Sequence, residues 1–191
     1  MGSRHHAFKT LRAGASRALA GLLCGISLAV LPAAAGFAQA PEGDDEYSLK
    51  AAFLINFASF ATWPDSHRPA LHLCIYGEDP FGAHLDALEQ RTVGTRPLQI
   101  RRTLRVDGLG GCDMVFITRS MIGNLNRVQD RIDGLPVLTI ADSPGAMQKG
   151  VMLNIETLGN RIGFSVNLAA ARNHGVGLSA RLLKLASEIQ Q

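Results

Sequence analysis

The stretch Leu71-His72-Leu73-Cys74-Ile75-Tyr76-Gly77-Glu78-Asp79-Pro80 decides the fold. Its first six residues are apolar apart from His72, and a turn signal follows. That is the pattern of a buried strand leading into a helix. Asp79 suits the N-cap of that helix and Pro80 its first position, so a helix is expected over residues 80–89. The same alternation continues downstream. Residues 98–103 and 113–117 read as further strands. Ser120 is placed to cap a helix whose apolar positions Ile122, Leu125, Val128 and Ile132 keep helical spacing. Residues 136–140 read as a fourth strand. Residues 152–155 and 161–166 read as a hairpin turning at Leu158-Gly159-Asn160. Strands alternating with helices predict an α/β single-domain sandwich, and the hairpin makes its sheet mixed and only partly parallel, with helices flanking it.

The flanks of this unit are helical. Residues 44–61 predict a helix with acidic residues at its start, which suits the helix dipole. Trp63-Pro64 ends it. Its middle is apolar nearly all round, so burial on several sides is expected. Phe53, Phe57, Phe60 and Trp63 follow a 4-3-3 spacing and share a face. That face has two readings, core packing or an interface for a partner or a second copy. The last helix is expected after Ser179, with Leu178 and Leu183 as a hydrophobic staple. Leu182, Leu185 and Ile189 are its expected buried stripe.

Further out, residues 1–38 read as a cleaved secretory signal peptide. Arg4, Lys9, Arg12 and Arg17 form a basic start, a short apolar run follows, and Gly36 and Ala38 supply the small residues of a cleavage site after Ala38. The apolar run is shorter than the ~20 residues a membrane span needs. Cys24 is a poor lipid-anchor site because bulky Leu23 precedes it. Residues 39–46 read as a short polar linker and residues 47–191 as the folded domain.

The leader governs charge and redox state. The whole chain has 19 basic and 16 acidic residues, a net charge of +3. Residues 1–40 hold four of the basic residues and no acidic one, which leaves the remainder slightly acidic. Nucleic-acid binding, which needs a basic face, loses its support. Beyond the leader the cysteines are Cys74 and Cys112. In an oxidising compartment they are a candidate disulfide, with two buried thiols as the alternative. Two isolated sulfurs offer no metal-ligand set.

Sites with chemistry are few. The carboxyl edge of the expected sheet carries Glu78 and Asp79, then Thr118, Arg119 and Ser120, then Asp142 and Ser143. Ligands of such sheets gather there. Asp79 or Asp142 as a phosphate acceptor is one reading; helix capping and turn chemistry are the other. The histidines His67, His72, His84 and His174 show no metal-ligand spacing, and no nucleophile elbow, zinc-protease or phosphate-loop motif occurs. No enzyme, cofactor or metal is therefore expected. Arg161, Arg172 and His174, near the flexible Gly175 and Gly177, are candidates for a small anionic ligand, since a guanidinium offers a fork of donors. Helix termination by Arg172 and His174 is the alternative.

Several separate motifs resemble one family. They are Glu46-Tyr47-Ser48-Leu49-Lys50-Ala51-Ala52-Phe53-Leu54-Ile55-Asn56-Phe57 with Trp63-Pro64, and Cys74-Ile75-Tyr76-Gly77-Glu78-Asp79-Pro80-Phe81-Gly82. Near the end come Asn167-Leu168-Ala169-Ala170-Ala171-Arg172 and Gly177-Leu178-Ser179-Ala180-Arg181-Leu182-Leu183-Lys184-Leu185-Ala186. Together they resemble the YfiR family of periplasmic proteins. The resemblance implies a soluble periplasmic regulator that restrains an inner-membrane diguanylate cyclase through its periplasmic sensor region. Cyclic-di-GMP and biofilm formation would fall as a result. It also implies a homodimer, and a Cys74–Cys112 bridge like the family's more general one. A small-molecule-binding subunit of another membrane sensor is the alternative. The chain departs from the family in lacking a second cysteine pair between Pro144 and Ile155, and in having Gly163 where a second arginine often stands.

Overall fold

The computed structural model describes residues 42–64, 68–159 and 161–191. The expected leader with its expected cleavage site, residues 39–41 of the expected linker, His67 and Asn160 lie outside the described residues. In chain order the elements begin with helix α1 (Glu42–Phe60), which runs into β1 (Ala61–Thr62). Then come β2 (Leu71–Tyr76), the one-turn α2 (Ala83–Asp86), β3 (Thr92–Val93), β4 (Arg96–Thr103) and β5 (Met114–Ile117). They are followed by α3 (Leu125–Ile132), β6 (Leu138–Ala141), β7 (Leu153–Leu158) and β8 (Arg161–Asn167). The chain closes with α4 (Leu168–Asn173), β9 (Gly177–Leu178), α5 (Ala180–Leu183) and β10 (Glu188–Gln190).

Among the described residues the main sheet has the order β10-β8-β7-β6-β5-β2-β4-β3. The run β4-β2-β5-β6-β7 is parallel. The β7–β8 hairpin and the β3–β4 edge are antiparallel, and β10 lies parallel to β8. The expected mixed, partly parallel α/β sheet is therefore the observed one. Strands β2 and β5 are its centre. Their near-continuous apolar sequences match burial on both faces, as a parallel sheet covered by helices requires.

Alternation sends side chains to two cores. Leu73, Ile75, Phe116, Ile140, Leu153, Phe164 and Val166 face α1, where Ala51, Leu54, Phe57 and Ala58 are buried against them. Cys74, Tyr76, Val115, Ile117 and Ala141 face the other way, onto Leu125, Val128 and Ile132 of α3. Helix α1 is less enclosed than its sequence predicts. One face is buried, Phe53, Ile55 and Phe60 are half-buried flanks, and Ala52, Asn56 and Ser59 are exposed.

Local expectations are corrected at four places. Helix α1 begins at Glu42, two residues before the expected start at residue 44. The helix expected over residues 80–89 shrinks to α2, because Gly82 adopts a left-handed φ of 50° and restarts the chain direction. Asp79 still caps locally, its Oδ1 accepting from Phe81 N at 2.8 Å. Ser120 caps nothing; Arg119–Asn124 is a 3-10 segment that leads into α3. The last helix ends after α5. Ser179 caps it as expected, its side chain accepting from Leu182 N, and Leu182 is buried. Leu185 is 64% exposed and Ile189 39% exposed, so neither belongs to a buried stripe. Ile189 instead sits in β10, an edge strand paired through Ser165, Val166 and Asn167 of β8.

Candidate functional site

Ligand crevices in α/β sheets open at the carboxyl edge where the strand order reverses. Here that point lies between β2 and β5, since β2 is flanked by β4 on one side and β5 on the other. The crevice is closed. Gly77 follows β2 with φ at 120°, and a Cβ at this position would overlap Thr118 Oγ1. Thr118 Oγ1 donates to Tyr76 O at 3.1 Å and lies 2.9 Å from Ser120 Oγ, which accepts from Glu78 N at 3.2 Å. The switch-point residues expected to meet a ligand thus bond to one another.

The acidic edge divides in two. Asp79 is drawn toward β4 by Arg102, whose Nε lies 2.6 Å from Asp79 Oδ2 while its other arm reaches Asp86 at 2.6 Å. Hydrogen bonding to Asp79, foremost, and then to Asp86 outweighs partial burial and raises the already high guanidinium pKa. Asp142 is drawn to α1. Lys50 Nζ lies 2.5 Å from Asp142 Oδ2, with both side chains 1% exposed. Lys50 also reaches Glu46 Oε1 at 2.6 Å and sits 4.5 Å from the centre of the Tyr47 ring. Arg119 approaches the same Asp142 oxygen at 3.3 Å, and Tyr47 OH donates to it at 3.4 Å. Burial first, and the charge of Asp142 second, push the Tyr47 phenol above its ordinary pKa.

Beside this network a cleft of about 440 Å³ opens toward the β7–β8–β10 side of the sheet. Arg119, Asp142, Ser143, Asn154, Glu156 and Glu188 contribute its charged and polar lining. Ser143 N donates to Asn154 Oδ1 at 3.2 Å, and Asn154 Nδ2 donates to Glu156 Oε1 at 3.2 Å. Asp142 Oδ1 and Ser143 Oγ are buried without a hydrogen-bond partner. Buried polar atoms in native folds are normally paired, so such orphans mark a place to look for function.

On the face that α3 covers, Cys74 of β2 is bonded to Cys112, with Cα atoms 6.0 Å apart. The candidate disulfide is therefore formed in the fold, and both cysteines are buried. Asp113 beside it accepts from His72 N at 2.8 Å and is approached by Arg68 and Arg96 at 3.7 and 3.8 Å. A second cleft of about 430 Å³ lies here, lined by Trp63, Arg68, Cys112 and Asp113 among others.

The aromatic stripe of α1 is split by its surroundings. Phe57 is buried, its ring 5.0 Å from Phe164 and 5.8 Å from Phe53. Phe53 touches Phe164 at 5.9 Å. Phe60 lies under Arg181 at 5.7 Å. Trp63 lies under Arg96 at 5.5 Å and donates its Nε1–H to Asp113 O at 3.0 Å. All four pack on the α1 core, three of them only partly buried.

The three residues proposed from sequence for an anion do not converge. Arg161 is exposed at the hairpin end of β8, whereas Arg172 is exposed in the last turn of α4, beyond the other end. The length of β8 puts them roughly 20 Å apart along the strand. His174 turns Nδ1 to Leu135 O at 3.1 Å, and the shallow pocket it lines also holds Asp130 and Asp133. Carboxylates there oppose an anion. Sequence reading missed Lys50, Asn154, Glu156 and Glu188. The signal existed in β7 and β8, where Asn154 and Glu156, then Gly163 and Ser165, alternate with Leu153, Ile155, Phe164 and Val166. One face of this hairpin is polar.

A mixed α/β sheet braced by a buried disulfide, with a polar cleft over its antiparallel margin, defines a small single-domain α/β protein. The chain belongs to the YfiR/HmsC-like family (DUF4154), whose model matches residues 47–187. No curated protein matches the chain in sequence. Among solved structures it is similar to a conserved domain protein from Vibrio cholerae O1 biovar eltor str. N16961, with TM-score 0.47 and 7% identity over 75% of this chain. It is also similar to the ABC domain in complex with L-Trp from Streptococcus pneumonia, with TM-score 0.45 and 8% identity over 63% of this chain. The chain spans 60% and 55% of the lengths of those two proteins.

Proposed function

We propose that this protein is a periplasmic regulator that inhibits an inner-membrane diguanylate cyclase through the cyclase's periplasmic sensor region. Cyclic-di-GMP and biofilm formation fall as a result. The observation that carries this reading is the family match over residues 47–187. Two features support it. The signal-peptide pattern of residues 1–38 directs the chain out of the cytoplasm. The Cys74–Cys112 bridge is a bond that an oxidising compartment sustains. No described helix is long and apolar enough to cross a membrane. An exported domain of this kind acts on cytoplasmic cyclic-di-GMP only through a membrane-spanning partner. It acts as a homodimer and by contact rather than by catalysis, with Phe53, Phe60 and Trp63 at the rim of the contact face.

Deletion of the gene, with cyclic-di-GMP measured in extracts, tests this reading. The level is expected to rise several-fold and to return on complementation with the full chain. An unchanged level overturns it. A second reading, a small-molecule-binding subunit of another membrane sensor, is favoured by the cleft beside Asp142.

A further inference from the structure

We propose that the cleft over the β7–β8–β10 margin binds a short organic amine, with ammonium groups held by Glu156 and Glu188. This goes beyond the regulatory reading and does not depend on it.

Strand register builds the floor of the site. Ala141 pairs with Asn154, Asn154 with Ser165, and Ser165 with Glu188, so one row crosses β6, β7, β8 and β10. Paired residues point to the same side of a sheet. In the next row Glu156 pairs with Gly163, which has no side chain to fill the space beside it. This is the face that α3 covers over the parallel strands. Past β6 the face changes from apolar to polar. The turn from Asp142 to Gln148 forms the wall there, and Glu188 and Gln190 line the far side.

Three buried oxygens in and beneath this cleft have no hydrogen-bond partner: Asp142 Oδ1, Ser143 Oγ and Ser165 Oγ. Each belongs to a residue no more than 5% exposed. Asp142 and Ser143 line the cleft directly, and Ser165 lies in the floor row between Asn154 and Glu188. The carboxylate oxygen only accepts, and the two hydroxyls accept as well as donate, so a donor suits all three.

Charge gives the sign. Among the described residues Asp142, Glu156 and Glu188 line the cleft against a single cation, Arg119. Asp142 is already matched by Lys50, which leaves Glu156 and Glu188 to act on what enters. The described residues contain no cluster of three His, Cys, Asp or Glu that could hold a metal ion, so an organic cation fits better. Among the described residues no aromatic ring lines the cleft. Quaternary ammonium groups and sugars are held by aromatic faces, whereas a primary ammonium needs acceptors. Glu156 and Glu188 stand on strands two positions apart, roughly 10 Å across the sheet. Their side chains can close that span onto a short diamine, one carboxylate to each end. The volume of about 440 Å³ falls within the range of small-molecule sites.

Calorimetric titration of the purified protein with putrescine and ethanolamine tests this, with sodium acetate and phosphate as anion controls. Saturable binding of putrescine is expected, weakened at least tenfold by Glu156→Gln and by Glu188→Gln and unchanged by Glu89→Gln on the distant α2 side. Thermal melts establish that each variant folds. If one substitution prevents folding, the other decides. No saturable binding of either amine overturns the proposal. So does amine binding that survives both substitutions, or binding of acetate or phosphate in place of the amines.

Discussion

Lys50 and Asp142 stand 92 positions apart in the chain, yet their side chains form a buried ion pair at 2.5 Å. The pair fastens the first turns of α1 to the carboxyl end of β6. Removing one partner leaves the other buried charge with only a more exposed second partner, Glu46 for Lys50 or Arg119 for Asp142, so the loss approaches the about 3–5 kcal/mol typical of a broken buried pair. Lys50→Met and Asp142→Asn are each expected to destabilise the protein on that scale in urea unfolding. The double replacement should cost less than the sum, because no unpaired charge remains. Additive losses would mean that the two groups do not stabilise each other.

Tyr47 ties the same network to alkaline pH. Burial, and then the charge of Asp142, raise its phenol above the ordinary value of about 10, against the opposing pulls of Lys50 and Arg119. Between the ordinary value and the raised one, the unfolded chain has lost this proton while the folded protein keeps it. The native state binds more protons there, so its stability falls as pH rises through that window and is fully present below it. Tyr47→Phe removes the titration. Its urea midpoint should decline less steeply than that of the native protein above about pH 10. An identical decline would show that Tyr47 is not the group responsible.

The disulfide is placed to stabilise rather than to switch. Cys74 and Cys112 are 0% and 2% exposed, and the bridge closes a separation of 38 residues. A loop of that size is worth about 4 kcal/mol in the chain-entropy account. Thiol labelling of the protein without residues 1–38 should find neither cysteine reactive, with or without denaturant, until denaturant and a reductant are added together. Cys74→Ser with Cys112→Ser should lower stability by about that amount. Rapid reduction of the bond in the native state would point to a redox switch instead.

Gly77 governs the closed switch point. A Cβ there would overlap Thr118 Oγ1 and would also meet Ser120 Oγ at 2.8 Å, on a backbone whose φ of 120° disfavours any side chain. Overpacking and backbone strain each cost about 1–3 kcal/mol, so Gly77→Ala is expected to lose about 2–6 kcal/mol. Adding Thr118→Gly should recover only the part of the clash due to Thr118, since Ser120 Oγ still crowds the new Cβ. Full recovery would place the whole cost in the clash and none in the backbone.

The parallel centre of the fold was legible in sequence because β2, β5 and β6 are short apolar runs bounded by turns. Their bounds depend on little beyond burial. The end of the chain was not legible. The spacing of Leu182, Leu185 and Ile189 suits a helix, but β8 offers an open edge, and Glu188–Gln190 pairs with it instead. Local periodicity loses there to backbone pairing that only the folded sheet provides. The candidate site was half legible. Arg119, Asp142 and Ser143 follow from the rule that strand ends carry ligands. Lys50 looked like one more residue of a helix, and its partner is visible only across the fold. Arg161, Arg172 and His174 were grouped by closeness in sequence, and the length of β8 separates Arg161 from the other two.

The aromatic stripe of α1 separates stability from contact. Phe57 is buried among Phe53 and Phe164, so Phe57→Ala opens a cavity and should cost about 3–5 kcal/mol. Any loss of regulation in that variant is a folding effect. Phe60 is only partly buried, beneath Arg181 on the helix flank. Phe60→Ala should therefore stay folded, with a melting temperature a few degrees below that of the native protein. If this flank meets the membrane partner, exposed contact aromatics carry a large share of the binding energy. Cells carrying Phe60→Ala should then show cyclic-di-GMP raised toward the deletion level, with the variant still present at normal abundance. Native cyclic-di-GMP in those cells would move the contact surface away from α1.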